Sequence, residues 1–332
     1  MQPPCTEARR LPHPYCPVNA FHLSVYDLHI SSAEDEMPAT QLVNRAKSPA
    51  VALETTILVH GLPKQRALGV CHQLEQEVSS SGAHPALVGV VNGAPTVGMT
   101  RSELQAFLDA DHIEKLNASN LGHAIHSGIN GATTVSTTME LAERAGIRVF
   151  ATGGIGGVHQ NYHERPDISA DLFALTRHRL AVVTSGCKNI LDIPATRELL
   201  ETLGVTVIGY QTDTFPAFYQ RETDLQVDAR YDDPRELAEF VGFELARTGR
   251  GIVVANPIPE PDEIPLTEWG SWLSQARTLP SVMDSKGRDA TPALLAEVHR
   301  LSDGKTIEAN IALARSNASL AGSLAAALSG QS

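Results

Sequence analysis

The chain has 332 residues, a formal net charge of −12 and a pI near 5.5, so it can bury a full core, and its acidic balance argues against an extended electrostatic contact with nucleic acid. It contains neither a signal-peptide pattern nor an apolar run of about 18 residues, so we expect neither secretion nor membrane spanning. The four cysteines are scattered without zinc-site spacing, which fits a reduced cytoplasm.

Residues 1–48 are rich in Pro, His and Ser, and they predict a poorly ordered N-terminal extension. From residue 49 to 332, short β-branched runs alternate with amphipathic stretches, a rhythm typical of strands joined by helices. We predict strands at 49–53, 86–91, 147–151, 180–184, 205–210 and 252–255. We predict helices at 67–80, 101–109, 134–145, 169–177, 195–203, 234–248, 292–301 and about 305–328. The sequence therefore predicts a single α/β domain over residues 49–332, with a mixed, mainly parallel β-sheet flanked by helices.

Two charged residues in the first half of this domain are candidates for chemistry. Glu54 ends the first predicted strand, where partial burial would raise its pKa toward the range useful for proton transfer, although a solvated strand end is equally open. Lys115 follows an acidic stretch at 109–111 and precedes a predicted turn at 130–134. It could reach a phosphate or pair with Glu114 on the surface, and its position favours neither.

Residues 149–159, VFATGGIGGVH, run from a predicted strand into four glycines. A dinucleotide-binding G-x-G-x-x-G pattern starting at Gly154 would need a glycine where His159 stands, and no helix follows. A turn explains one or two of the glycines, whereas four of them next to Thr152 and His159 indicate a nest of backbone N–H groups around an anion. We therefore predict phosphate binding here. Of the 13 histidines, His159 is the candidate for acid–base or metal chemistry, and His60 is a weaker one.

Residues 167–172, DISADL, contain the predicted start of a helix that Ser169 can cap. A helix N-terminus beside a glycine loop is also an anion site. Asp167 or Asp171 could hold a hard cation such as Mg²⁺ or Mn²⁺ beside a phosphate, or simply belong to the helix start.

Lys188 lies in residues 182–191, VVTSGCKNIL, between an apolar strand and a predicted apolar helix start. Lysine is scarce in this chain, so a lysine at such a position is unexpected as a surface charge. Burial and the positive end of a helix would both favour the neutral amine, which is the form that attacks a carbonyl. The alternative is a lysine that extends from a loop into solvent.

Taken together, these segments resemble the pseudouridine-5′-phosphate glycosidase family over roughly residues 48–325. The motifs that carry the resemblance are ALETTI at 52–57 with His60 and Gly61, NGATTV at 130–135, ATGGIGGVH at 151–159, DISADL at 167–172, TSGCKNILD at 184–192, QTDTFPAFY at 211–219, ANPIPE at 255–260 and ANIAL at 309–313.

The resemblance implies a homotrimer with a mixed sheet, a divalent metal, usually Mn²⁺, and ribose 5-phosphate as the sugar. By motif, Lys188 matches the lysine that forms an imine with C1′ of the opened sugar, Glu54 matches the proton donor, and Asp167 matches the metal ligand. The positions that match or adjoin the substrate-binding pocket are Lys115, Thr134, Val135, Thr152, His159, Ser169, Ala170, Asp171 and Asn310.

This chain departs from the family in neighbouring loops. Residues 60–67 read HGLPKQRA where the family typically reads HGMPYPxN, residues 115–121 read KLNASNL in place of KVSRRDL, and Ala293 replaces a phenylalanine. A larger, less polar acceptor cavity would result. We therefore expect a C-glycosynthase that attaches ribose 5-phosphate to an aromatic natural product. This expectation follows the related C-ribosylating enzyme of alnumycin biosynthesis and implies a role in antibiotic biosynthesis. The alternative is a glycosidase that splits pseudouridine 5′-phosphate into uracil and ribose 5-phosphate.

Overall fold

The computed structural model describes residues 41–164, 166–285 and 290–330, which form alternating strands and helices. The strands are β1 (Val43–Asn44), β2 (Ala50–Glu54), β3 (His84–Val91), β4 (Ala94–Val97), β5 (Glu114–Leu116), β6 (Gly131–Thr133), β7 (Val149–Ala151), β8 (Val158–His159), β9 (Ala181–Thr184), β10 (Leu191–Asp192), β11 (Val207–Tyr210), β12 (Ala229–Tyr231) and β13 (Ile252–Ala255).

The helices are α1 (Thr56–His60), α2 (Lys64–Ser80), α3 (Arg101–Asp109), α4 (Leu121–His126), α5 (Val135–Arg144), α6 (Ala170–Arg177), α7 (Ile193–Thr202), α8 (Pro234–Thr248), α9 (Leu266–Arg277), α10 (Pro280–Met283), α11 (Ala290–Leu301) and α12 (Lys305–Ser329). A short 3₁₀ turn spans Glu260–Asp262.

Eleven strands form one sheet, whose main path runs β1-β4-β3-β2-β7-β9-β13-β11-β12. The pairs from β3 through β12 along this path are parallel, whereas β4 and β6 pair antiparallel with β3. Strands β8 and β10 form a separate antiparallel pair. The sheet is thus mixed and mainly parallel, as the sequence predicted.

The central strands are apolar because helices cover the sheet. Every residue of β9 and β13 is buried, which explains their β-branched runs. Helix α12 lies on β2, β7 and β9 and packs against α2 and α8, while α5 and α6 pack together and α5 lies on β2 and β3. Within the described ranges, no helix is both long enough and apolar enough to cross a bilayer.

The ordered sheet begins earlier in the chain than we predicted. Strand β1 pairs with β4, and the Arg45 guanidinium donates to the Glu103 carboxylate at 2.9 and 3.0 Å, so residues 41–48 belong to the folded domain. A two-residue edge strand carries too little hydrophobic periodicity to be recognised. The rest of the proposed extension, residues 1–40, lies outside the described residues, and the prediction for it stays a prediction.

Candidate active site

Four neighbouring parallel strands end at the same edge of the sheet and deliver polar residues there. Strand β2 ends with Glu54, β7 is followed by Thr152, β9 by Ser185 and β13 by Asn256. All four residues are buried. Since α/β folds bind ligands at the carboxyl ends of their strands, this edge is the candidate active site.

Glu54 is a buried carboxyl with 8% of its surface exposed. The Thr152 hydroxyl donates a short hydrogen bond to Glu54 Oε1. Burial raises the pKa of Glu54, while the charge of Lys188 and the Thr152 hydrogen bond partly oppose that rise. Glu54 therefore keeps its proton to higher pH than an ordinary glutamate, as expected from its place at a strand end.

Lys188 lies in the turn after β9 and is half-buried. Its N–H donates to the Ile155 carbonyl at 3.3 Å, and its carbonyl accepts from Leu191 N–H at 3.0 Å. The expectation that Lys188 stands at a helix start was wrong, because the turn leads into β10 and α7 begins at Ile193. The charge of Lys188 lowers the pKa of both Glu54 and Lys115, so these three groups lie within electrostatic reach of one another.

A second segment braces the Lys188 turn. Gly186 has φ +80°, and a Cβ there would lie 1.7 Å from the Pro216 carbonyl oxygen, so the two backbones touch. Phe218 N–H donates to the Ser185 carbonyl at 2.8 Å, although the φ of Phe218, 56°, is unfavourable for a bulky side chain. Surrounding contacts must hold this strained residue in place, and the lysine turn is correspondingly fixed.

The thiol beside Lys188 is not a second nucleophile. Burial raises the pKa of Cys187 to about 12, so this residue stays a neutral thiol at physiological pH. The lysine amine is therefore the candidate nucleophile of this turn.

Lys115 lies on β5 and is electrostatically linked to Lys188, Glu54 and Asp171. Burial of its amine end, followed by repulsion from Lys188, lowers the pKa of Lys115, although the residue as a whole is exposed. Glu54 and Asp171 pull the pKa in the opposite direction. The side chain therefore lies within the electrostatic reach of the site, and a surface pairing with Glu114 does not account for its surroundings.

The four glycines after β7 do not form the predicted nest. None has φ in the left-handed region that a nest needs, and their small size serves close packing instead. A Cβ at Gly154 would lie 2.5 Å from the Phe218 ring, and one at Gly157 would lie 2.3 Å from the Thr196 hydroxyl. The Gly156 N–H donates to Asp171 Oδ2 at 2.8 Å, so this amide is already hydrogen-bonded to a protein carboxylate and does not face a bound anion.

Asp171 joins the starts of two helices. It is 5% exposed, and its Oδ1 accepts from Ser136 N–H in the first turn of α5 at 2.9 Å. Ser169 caps α6, since its hydroxyl accepts from Asp171 N–H at 3.2 Å, as predicted. Thr134 and Val135 begin α5 and Ser169 and Ala170 begin α6, so the structure brings these candidates together around Asp171.

Asp167 and His159 form a separate pair near this helix start. Asp167 Oδ2 lies 3.9 Å from His159 Nδ1, and His159 N–H donates to the Asp167 carbonyl at 3.0 Å. Over the described ranges, no group of three His, Cys, Asp or Glu is placed to hold a metal ion. The exposed Asp167 carboxylate fits a hard cation held mostly by water and a substrate phosphate, the mode typical of Mg²⁺, and does not fit a closed cage of protein ligands.

Helix α12 contributes two amides that face the strand ends. Asn310 is 8% exposed, and its Oδ1 is a buried acceptor without a hydrogen-bond donor among the described residues. A Cβ at Gly153 would lie 3.3 Å from that oxygen, so Asn310 borders the glycine loop. Asn317 is fully buried, and the sequence reasoning missed it. The available signal was a polar residue seven positions after Asn310, on the same face of a helix rich in Ala and Leu.

Comparisons with known proteins agree with this architecture. Residues 40–327 match the family described as indigoidine synthase A like protein. A pseudouridine-5′-phosphate glycosidase from Methylobacterium nodulans is 44% identical over 297 residues, covering 89% of this chain and 88% of that protein. An indigoidine synthase A-like crystal structure from Thermotoga maritima has a TM-score of 0.79 and 33% identity, covering 86% of this chain and 95% of that one. The crystal structure of prealnumycin C-glycosynthase AlnA with ribulose 5-phosphate has a TM-score of 0.78 and 36% identity, covering 85% and 92%.

The fold and these matches define one class of α/β enzyme. The chain belongs to the indigoidine synthase A-like family and, within it, to the enzymes of the pseudouridine-5′-phosphate glycosidase type. The family resemblance and the fold class predicted from the sequence are thereby confirmed.

Proposed function

We propose that this enzyme cleaves the C–C glycosidic bond of pseudouridine 5′-phosphate, releasing uracil and ribose 5-phosphate. The observation that carries the proposal is a buried, proton-retaining carboxyl, Glu54, within electrostatic reach of the Lys188 amine. The name of the Methylobacterium relative supports this substrate over an aromatic acceptor, which was our first expectation.

The bond itself explains why a lysine is needed. A C-glycosidic bond has no oxygen or nitrogen leaving group, so the paired-carboxylate scheme of ordinary glycosidases cannot operate. In the proposed reaction, Lys188 Nζ attacks C1′ and displaces the ring oxygen, which takes up a proton. The nitrogen lone pair then forms the C1′ imine as the bond to the uracil ring breaks, and the ring carbon takes a proton. Water finally hydrolyses the imine, which releases ribose 5-phosphate and restores the amine.

Glu54 is the proposed proton donor to the departing ring, because its raised pKa keeps it protonated closer to neutral pH. Lys115 and the first turns of α5 and α6 are the proposed contacts of the phosphate and the opened sugar. Thr152, His159 and Asn310 are further proposed substrate contacts, and Asn310 Oδ1, which has no donor among the described residues, is a suitable acceptor for a sugar hydroxyl.

A second candidate function is synthesis, in which the same imine joins ribose 5-phosphate to an aromatic acceptor. The specific observation in its favour is the similarity to AlnA, together with the altered loop at 60–67 and the half-buried Ala293 in place of an aromatic ring. The trimer and a place in antibiotic biosynthesis stay predictions.

The two candidates are separated by supplying their substrates to purified protein. With pseudouridine 5′-phosphate, we expect equal amounts of uracil and ribose 5-phosphate, and we expect unphosphorylated pseudouridine to react poorly. In a parallel reaction, ribose 5-phosphate is offered with a naphthoquinone-type aromatic. If the aromatic acceptor gives a ribosylated product and pseudouridine 5′-phosphate releases no uracil, the function is synthesis and the cleavage proposal is refuted.

We also propose that Asp167 holds a divalent cation, Mn²⁺ or another, that neutralises charge on the substrate phosphate when it is bound. Treatment with a chelator is expected to lower the cleavage rate by about tenfold or more, and added Mn²⁺ is expected to restore it. Asp167→Ala should show the same loss at Mn²⁺ concentrations that saturate the wild type. A chelated, metal-free protein with full activity would contradict this proposal.

A further inference from the structure

Asn317 occupies the centre of a hydrogen-bond network beneath the strand ends. Its Nδ2 donates to the Thr152 carbonyl at 2.8 Å and to the Ser185 hydroxyl at 3.1 Å. Its Oδ1 accepts from Asn256 Nδ2 at 2.9 Å. One amide thus connects the residues that follow β7, β9 and β13.

The Asn317 amide has no remaining capacity for a ligand. Its two N–H groups and its oxygen are all engaged by protein groups, and the residue is fully buried. A direct contact with substrate is therefore excluded. Any influence of Asn317 on the reaction must act through the residues it holds.

Two of the residues bonded to Asn317, Thr152 and Ser185, are connected to the two proposed reactive groups. Thr152, whose carbonyl accepts from Asn317, donates its hydroxyl to Glu54. Ser185, whose hydroxyl accepts from Asn317, begins the turn that carries Lys188, and its N–H donates to the Gly153 carbonyl at 3.0 Å. The proton donor and the nucleophile are thus connected through one side chain.

The helix that carries Asn317 is itself fixed. The Arg315 guanidinium donates to the Glu77 carboxylate at 2.6 Å, and Arg66 of α2 is paired with Glu308. Both ion pairs are exposed and contribute little, so it is the packing of the buried face of α12 against α2, α8 and the sheet that makes the helix a firm base for the amide.

We propose that Asn317 is a positioning residue that sets the separation between the Glu54 carboxyl and the Lys188 amine by holding Thr152 and Ser185 together. The inference rests on the proposed function for the roles of Glu54 and Lys188, whereas the hydrogen-bond connection is independent of the substrate.

Asn317→Ala removes the connection, and Asn317→Asp keeps the acceptor while losing the donor to Thr152. A displacement of about 1 Å at a reacting centre can cost on the order of 100-fold, so we expect kcat to fall 10- to 100-fold with KM changed less than about threefold. Because the Thr152 hydrogen bond lowers the pKa of Glu54, its loosening should move the alkaline limb of the kcat profile to higher pH.

The matched control is Leu324→Ala, which removes a fully buried side chain from the same helix without touching the network. It should lower the melting temperature while leaving kcat and the pH profile at wild-type values. If Asn317→Ala does not fold, Ser185→Ala deletes a single hydroxyl of the network and is expected to show a smaller effect of the same kind. Variants of Asn317 or Ser185 with wild-type kcat and an unmoved alkaline limb would overturn the proposal.

Failure of the proposed function would look different. A wild type that does not cleave pseudouridine 5′-phosphate refutes that function, but the Glu54 carboxyl can still be titrated by ¹³C NMR and assigned with Glu54→Gln. A higher Glu54 pKa in Asn317→Ala than in wild type and Leu324→Ala would then support positioning, and an unchanged pKa would refute it.

Discussion

Lys188→Ala should abolish turnover, a loss on the order of 1000-fold or more, because no other group in the turn can form the covalent intermediate. Cys187 is the nearest alternative, and its pKa of about 12 keeps it protonated. Lys188→Arg should be equally inactive, since a guanidinium keeps the charge but forms no imine. The measurement is steady-state release of uracil from pseudouridine 5′-phosphate.

The covalent step can be observed directly. Ribose 5-phosphate with borohydride should add the mass of the sugar phosphate less one oxygen atom to wild type, and peptide mapping should place it on Lys188. Cys187→Ala is the matched control, because it changes the adjacent buried residue and should retain both turnover and trapping. Full activity in Lys188→Ala, or a sugar adduct on another residue, would refute the assignment.

Glu54→Gln should lower kcat by about 100- to 10,000-fold while leaving the borohydride adduct at Lys188 intact. Glutamine keeps the size of the side chain and can still accept from Thr152, but it has no acidic proton to give. Cleavage and imine formation should therefore separate in this variant. If trapping and cleavage are lost together, Glu54 serves imine formation, and the proposed division of roles is incorrect.

The same carboxyl predicts a pH dependence. Glu54 acts in its protonated form, so the rate should fall as pH rises through the pKa of Glu54. Because burial raises that pKa, the fall should come at higher pH than for an exposed glutamate, and the glutamine variant should lack it. The check is the kcat profile of the wild type beside that of Glu54→Gln.

Element boundaries were predictable where the local chemistry specifies them. Helix α3 was predicted with its observed bounds, since Thr100 and Glu103 form a capping box at its start. Helix α8 was also predicted with its observed bounds: Asp233 caps it, Pro234 opens it, and Gly249 ends it in the left-handed conformation. The buried strands β9 and β13 were predictable from their runs of β-branched residues. Short edge strands such as β1 and β12 lack such signals and were missed.

The site was less accessible to sequence reasoning because the same residue type serves different purposes. Four glycines fit an anion nest and a tight packing corner equally well, and backbone dihedrals and neighbouring side chains are needed to distinguish them. Lys188 was correctly placed after an apolar strand, but β10 lies between it and α7, and α7 begins at Ile193, slightly before the predicted start at residue 195. The sequence around Asn317 marks it only as a polar residue on an apolar helix face, and its partners could not be predicted because they follow three strands that are distant in the chain.

The position of α12 in the chain has a consequence for biosynthesis. As the polypeptide leaves the ribosome, the lysine turn and the acid-bearing strand emerge more than a hundred residues before Asn317. A nascent chain therefore contains Lys188 and Glu54 before Asn317, which is proposed to align them, has been synthesised. If Asn317 holds the site together as proposed, activity is expected to appear only after α12 has docked on the sheet.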